Sequence, residues 1–150
     1  MADTSLNENR LGILIWQTSN LWQSKIRQIL KNSDLTFNEY LILETLYKLI
    51  DEQDNISQQD ICKNSSIDRS VVSQKINGLE EKKLLMRSQP KDKRSYGLSL
   101  TNNGILLVES LISSVEKQES FIFDKLGSEI FNFTNSLKLI LGKKIRIKAK

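Results

Sequence analysis

Apolar residues return along this chain at helical spacing almost everywhere and at strand spacing in one place. From Leu11 to Leu30 they fall at Leu11, Leu14, Ile15, Leu21, Trp22, Ile26, Ile29 and Leu30, the 3.6-residue period of an amphipathic helix. Asn32, Ser33 and Asp34 interrupt the pattern. Thr36 followed three positions later by Glu39 then reads as a capping box, opening a second helix through Tyr40, Leu43, Leu46, Tyr47 and Ile50. Ser57 with Asp60 offers a third start, for a short helix ending near Ser65 and Ser66. Asp68 is placed to cap the next helix, in which Val72, Ile76 and Leu79 form the buried stripe and which should end near Lys83. The period then changes. Leu84 to Arg87, a polar stretch over 88–95 and the alternating Tyr96, Leu98 and Leu100 predict a β-hairpin with a charged tip. Thr101 is expected to cap a long helix bearing Ile105, Val108, Leu111, Ile112, Val115 and Ile122. Ser128 is expected to cap a last one bearing Phe131, Leu137, Ile140 and Leu141.

Composition supports a mostly α chain with one small hairpin, because 150 residues contain a single proline and six glycines. Cys62 is the only cysteine and histidine is absent, which excludes an internal disulfide and the usual zinc ligands. Neither a metal nor a cofactor is expected, and a reducing cytoplasm is the expected compartment. The polar first ten residues and the lack of an apolar run near the roughly 20 residues of a membrane span give no sign of export or insertion. Charge is segregated: residues 1–59 carry a net −3, residues 60–100 a net +4, residues 101–137 a net −3 and residues 138–150 a net +6. Two basic blocks in an acidic body suit a polyanionic partner at defined places. For the C-terminal block a solvated tail is equally compatible.

Two short helices joined by a tight turn make a helix-turn-helix, whose second helix can enter a major groove. With Val72, Ile76 and Leu79 turned to the core, steps of about 100° put Ser70, Gln74 and Asn77 on the opposite face, Ser73 at its margin and Arg69 at the N-terminal end. Amide and hydroxyl side chains suit base edges, Asn and Gln through adenine N6 and N7. A solvated helix face has the same composition, so the hairpin matters. Its tip, Pro90-Lys91-Asp92-Lys93-Arg94, gathers three cations around one acid. Asp92 can accept the guanidinium of Arg94 and hold it extended for entry into a minor groove.

On these residues the chain resembles the MarR family of transcriptional regulators, near its SlyA-like members. The resemblance spans nearly the whole sequence. Its most specific parts are Asp92-Lys93-Arg94-Ser95, the strand running into Leu100-Thr101-Asn102-Asn103-Gly104, and the helix Arg69 to Ile76 continuing to Leu85. It implies a winged helix-turn-helix lobe over residues 36–101, carried on dimerisation helices at 8–32 and 102–145. It also implies a recognition helix reading bases through Ser70 and Gln74, and Arg94 of the wing in the adjacent minor groove. Lys93 would stand with the wing cations, and Arg87 and Lys91 would meet backbone phosphates. Where the family commonly has glycine after the recognition helix, this chain has Lys83, which must adopt a left-handed conformation or extend the helix. The family's thiol-based sensors carry cysteine in the first helix, whereas Cys62 lies in the third and reads as a buried structural thiol. Zinc-sensing members need histidines, which this chain lacks. Other members bind small aromatic carboxylates or phenols in a crevice between frame and lobe. Trp16, Trp22, Tyr40 and Tyr47 could line such a crevice, although aromatic residues serve equally in cores and dimer interfaces.

The expected function is therefore that of a homodimeric repressor of a pseudo-palindromic operator in double-stranded DNA, released by a small aromatic effector. Its carboxylates are scattered over caps and helix surfaces, so no enzymatic role is expected. A winged helix used only as a protein-interaction or structural module is the alternative.

Overall fold

The structure is a computed structural model that describes residues 9–88 and 97–145. The proposed wing residues Lys91, Asp92, Lys93 and Arg94 lie outside the described residues, as do Tyr96 and residues 146–150. The chain divides into two compact units, Met1–Val115 and Glu116–Lys150.

In the first unit, helix α1 spans Leu11–Leu30, α2 Phe37–Ile50, α3 Gln58–Ser65 and α4 Arg69–Glu81. Strands β1, Leu85–Ser88, and β2, Gly97–Leu100, follow, and α5, Asn102–Phe123, starts in this unit and runs into the next. Local chemistry sets most of these starts. At α2 the Thr36 N–H donates to Glu39 Oε1 at 2.9 Å and the Glu39 N–H donates to Thr36 Oγ1 at 3.2 Å, so each member of the capping box satisfies the other's orphan donor. At α3 the Ser57 N–H donates to Asp60 Oδ2 at 2.9 Å, and the Asp60 N–H donates to Ser57 Oγ at 3.1 Å. Asp68 does occupy the N-cap of α4, but its side chain makes no capping hydrogen bond. The preceding turn is held instead by Ser65, whose hydroxyl accepts from the Ile67 N–H at 3.2 Å, and by Ser66 in the left-handed conformation.

The core draws on every element of this unit. Ile26 of α1, Tyr40, Ile42, Leu43 and Leu46 of α2, Ile61 of α3 and Val72, Ile76 and Leu79 of α4 are completely buried. Leu85, Leu98 and Leu100 close it from the hairpin, and Val108 and Leu111 from α5. The last turns of α1 thus belong to the same core as the helix-turn-helix. Trp22 sets its ring edge-on to Phe37, with centroids 5.2 Å apart. Cys62 is half-buried against the core rather than enclosed by it. The strands pair antiparallel, Leu85 opposite Leu100 and Ser88 opposite Gly97. The Leu98 N–H donates to the Ile56 carbonyl at 2.8 Å, a third rung of backbone pairing that alternation in the sequence does not reveal.

In the second unit, a 3-10 segment at Asp124–Glu129 separates α5 from α6, Ile130–Ile140. Ser128, expected to cap the last helix, lies inside that segment; Glu129 takes the N-cap position and makes no side-chain cap. The reason is Gly127, whose φ of 56° and ψ of −128° break the helical path one residue before Ser128. No residue of α6 is buried, and Leu139, Ile140 and Leu141 are 65–70% exposed.

Candidate nucleic-acid interface

Helix α4 has one face in the core and one in water. Val72, Ile76 and Leu79 have no exposed surface, which fixes the rotation of the helix, while Arg69, Ser70, Ser73, Gln74 and Asn77 are all exposed. The five residues expected from the 3.6-residue period therefore lie together on the open side of the helix-turn-helix. Burying three branched aliphatic side chains contributes roughly 1.5–3 kcal/mol each, so this rotation is strongly held.

The C-terminal end of α4 is a hydrogen-bonded joint. Lys83 has a φ of 59°, the left-handed of the two outcomes the sequence leaves open. The Lys83 N–H donates to the Glu80 carbonyl and the Leu84 N–H to the Leu79 carbonyl, both at 3.0 Å. This paired pattern ends a helix at a left-handed residue, normally glycine. Thr101 shows what compensates the side chain there. Its hydroxyl donates to the Lys83 carbonyl at 2.7 Å and accepts from the Gly104 N–H at 3.0 Å, and its own N–H donates to the Leu84 carbonyl at 3.1 Å. A Cβ on Gly104 would overlap the Leu84 carbonyl oxygen, so only glycine lets the first turn of α5 approach this closely.

A second tie holds α4 to the start of α2. The Lys82 ammonium lies 3.1 Å from Glu39 Oε2 and also donates to the Asp34 backbone carbonyl. Glu39 is only 4% exposed. Its burial alone would raise the carboxyl pKa, but the Thr36 backbone N–H, Lys82 and the Thr36 hydroxyl together hold it below its ordinary value. Asp60 is likewise lowered, first by the Ser57 backbone N–H. Neither the Lys82–Glu39 pair, 43 positions apart, nor the pairing of Leu98 with Ile56 has a local sequence signal.

Arg87, expected to meet a phosphate, extends from β1 to α4. It donates through Nη2 to Asn77 Oδ1, and its Nε lies 4.0 Å from Glu80 Oε2. The four aromatic residues expected around a ligand are spread through the first unit. Trp16 is 62% exposed and Tyr40 fully buried. Trp22 packs on Phe37. The Tyr47 hydroxyl donates to Glu109 Oε1 at 3.2 Å, and desolvation together with that carboxylate raises its pKa. None of the four lines the crevice of about 530 Å³ formed by Gln23, Arg27, Leu35, Thr36, Phe37, Asn38 and Lys75. In it the Arg27 guanidinium carbon stands 5.5 Å from the centroid of the Phe37 ring, and Arg27 donates to Gln23 Oε1 at 3.1 Å.

Residues 33–95, from the turn before α2 to the hairpin tip, match the model of the MarR family. Over 132 residues the chain is 31% identical to YdcH of Bacillus subtilis (strain 168), an uncharacterized HTH-type transcriptional regulator, covering 87% of this chain and 88% of that protein. It is 26% identical over 135 residues to the HTH-type transcriptional regulator SarZ of Staphylococcus haemolyticus (strain JCSC1435), covering 89% of this chain and 88% of the relative. Among solved structures it superposes on S. aureus MepR in a complex with DNA, with a TM-score of 0.79 and 28% identity, covering 91% of this chain and 97% of that one.

Proposed function

This chain belongs to the MarR family of transcriptional regulators, and from that premise we propose that it is a homodimeric, sequence-specific repressor of a pseudo-palindromic operator. The observation that carries this reading is the open face of α4, where Ser70, Gln74 and Asn77 are exposed opposite three fully buried aliphatic residues, with Ser73 exposed at the margin and Arg69 at the N-terminal end. A helix so oriented offers the major groove amide and hydroxyl groups backed by a fixed scaffold. Arg94, with Lys91 and Lys93 beside it and Asp92 as its acceptor, is assigned to the adjacent minor groove from its place in the sequence. MepR, at 28% identity, was solved as a complex with DNA, which supports the same use of this fold here.

Exposed apolar surface supports the dimer. Leu11 and Trp16 of the first unit and Phe121, Leu139 and Ile140 of the second are each 62–74% exposed, large apolar side chains that a second copy of the chain can cover. A two-fold dimer places its two reading helices on half-sites about one helical turn, roughly 10 bp, apart. We further infer that a small aromatic carboxylate relieves repression from the crevice between α1 and α4, with Phe37 stacking on its ring and Arg27 and Lys75 facing its charge. Lys75 neighbours Gln74 on the reading helix, so an occupant that favours one placement of α4 alters operator affinity. No helix of the described residues is long and apolar enough to cross a membrane. The site of action is the cytoplasm, and the role is binding without a catalytic step.

Selection of bound duplexes from a random pool tests the proposal. A palindrome with half-sites one turn apart is expected. Affinity for it should fall steeply with salt, and Arg94→Ala should weaken binding by roughly 1–3 kcal/mol. Failure to retain any duplex at low salt would remove the DNA-binding reading and leave an interaction module.

A further inference from the structure

Asn77 and Gln74 share the open face of α4, yet their amides are in different states. Gln74 has no hydrogen bond among the described residues, so both ends of its amide remain available to a base. The Asn77 oxygen accepts from the Arg87 Nη2–H, which takes one of its two lone pairs. The assignment of oxygen to that side is chemically required, because a guanidinium carries donors only and the amide must meet it with its acceptor. The planar amide then turns its NH2 away from β1. Arg87 is itself held, its Nε 4.0 Å from the Glu80 carboxylate and its side chain only 30% exposed. It thus links β1 to α4 through the Asn77 oxygen, with the Glu80 carboxylate near its Nε.

We propose that Arg87 is a positioning residue that fixes the Asn77 amide with its oxygen toward β1 and its NH2 outward, so that Asn77 meets a base first as a donor and selects an edge made of acceptors, the O6 and N7 of guanine. An unrestrained asparagine favours adenine, whose edge pairs one donor and one acceptor with the amide. With one lone pair of its oxygen taken by Arg87 and that oxygen turned toward β1, Asn77 presents its acceptor to a base less well than its NH2, and guanine gains relative to adenine. Gln74, unrestrained, keeps the adenine preference. Specificity at one operator position is then set by a residue on the strand, not on the reading helix. This inference rests on the proposed DNA-binding function.

The test uses the full chain and the selected operator, with all four base pairs substituted at each half-site position. Binding is measured for the unaltered protein, Asn77→Ala, Arg87→Ala, their double variant and Gln74→Ala. Asn77→Ala is expected to locate the position it reads, where the unaltered protein prefers guanine by about fivefold or more. Arg87→Ala should move that position toward adenine, leave the Gln74 position unchanged, and alter no base preference in the Asn77→Ala background. Asn77→Asp keeps an acceptor for Arg87 but offers no donor, so it should turn the preference to cytosine, whose N4 donates. Arg87→Met keeps the length of the stem without its donors and should give the same shift toward adenine, so it carries the test even if Arg87→Ala unfolds. An adenine preference at the Asn77 position in the unaltered protein would overturn the proposal. So would an Arg87→Ala variant that binds all four bases equally more weakly with a salt slope reduced by about one, the mark of a phosphate contact. If Gln74→Ala changes a base preference and Asn77→Ala changes none, Asn77 is no reader. If neither does, the DNA-reading face itself is misplaced.

Discussion

Replacing Gly104 with alanine should damage the joint that ends the reading helix, and the size of the loss can be worked from its contacts. A Cβ at this position would overlap the Leu84 carbonyl oxygen and stand 3.0 Å from the carbonyl carbon. The atoms involved are backbone, so no side-chain rotation relieves the overlap. The first turn of α5 must draw back, and three hydrogen bonds depend on its position: Thr101 Oγ1 to the Lys83 carbonyl at 2.7 Å, Gly104 N–H to Thr101 Oγ1 at 3.0 Å and Thr101 N–H to the Leu84 carbonyl at 3.1 Å. At about 1 kcal/mol net for each, their loss costs about 3 kcal/mol. Alanine's better helix propensity returns up to about 1 kcal/mol, leaving a destabilisation of about 2 kcal/mol. For a chain of this size that lowers Tm by about 4–8 °C. Thermal unfolding at fixed protein concentration measures it, since self-association would otherwise shift Tm. Thr101→Ala should lose part of the same energy, so the double variant should fall short of the sum of the two single effects. A Gly104→Ala protein as stable as the parent, or strict additivity with Thr101→Ala, would refute the account of the joint.

Lys83→Gly removes the strain of a side chain at φ 59° while keeping the backbone bonds, and should raise stability by about 1 kcal/mol in thermal or urea unfolding. Because the Glu39 carboxyl is held below its ordinary 4.5 in the folded chain, its contribution is complete above that pH and is lost as pH falls through the folded value. Unfolding followed from pH 6 down to about pH 3 should therefore show a steeper acid decline for the parent than for Glu39→Gln. Trp16→Ala, at a side chain 62% exposed, should weaken self-association in sedimentation by about 2 kcal/mol or more if Trp16 anchors the dimer. The helical content of the chain should be unchanged. Arg27→Ala and Lys75→Ala should each lower affinity for an aromatic carboxylate such as benzoate by roughly fivefold or more, read by calorimetry. Equal affinity in both variants would move the effector away from this crevice.

What the sequence made legible, it made legible through short range. The ends of α1 at Leu11 and Leu30 follow from its apolar period, and the starts of α2 and α3 follow from capping boxes whose partners are three residues apart. The face of α4 follows from the same arithmetic. Asp68 and Ser128 mark where local chemistry misleads: Asp68 takes the N-cap position of α4 without a side-chain hydrogen bond, and the break at Gly127 moves the last N-cap to Glu129. The four aromatic residues are dispersed for a related reason: Tyr40 spends its bulk in the core, Trp22 packs on Phe37, and none of the four lines the crevice of Arg27, Phe37 and Lys75. The wing tip stays a matter of sequence, because Lys91 to Arg94 lie outside the described residues.

The contacts without a local sequence signal share a different property. Lys82 with Glu39, Leu98 with Ile56 and Arg87 with Asn77 join positions whose proximity exists only after the lobe has closed. Lys83 shows the consequence most clearly. From sequence it has two permitted conformations, and nothing within several residues chooses between them. The choice comes from Thr101, 18 positions away, whose hydroxyl takes the carbonyl that a left-handed Lys83 presents. The same threonine caps α5, so the residue that settles how the reading helix ends also settles where the next long helix begins. Thr101 thus ties the end of α4 to the start of α5 through the Lys83 and Leu84 carbonyls, contacts that no local window of sequence contains.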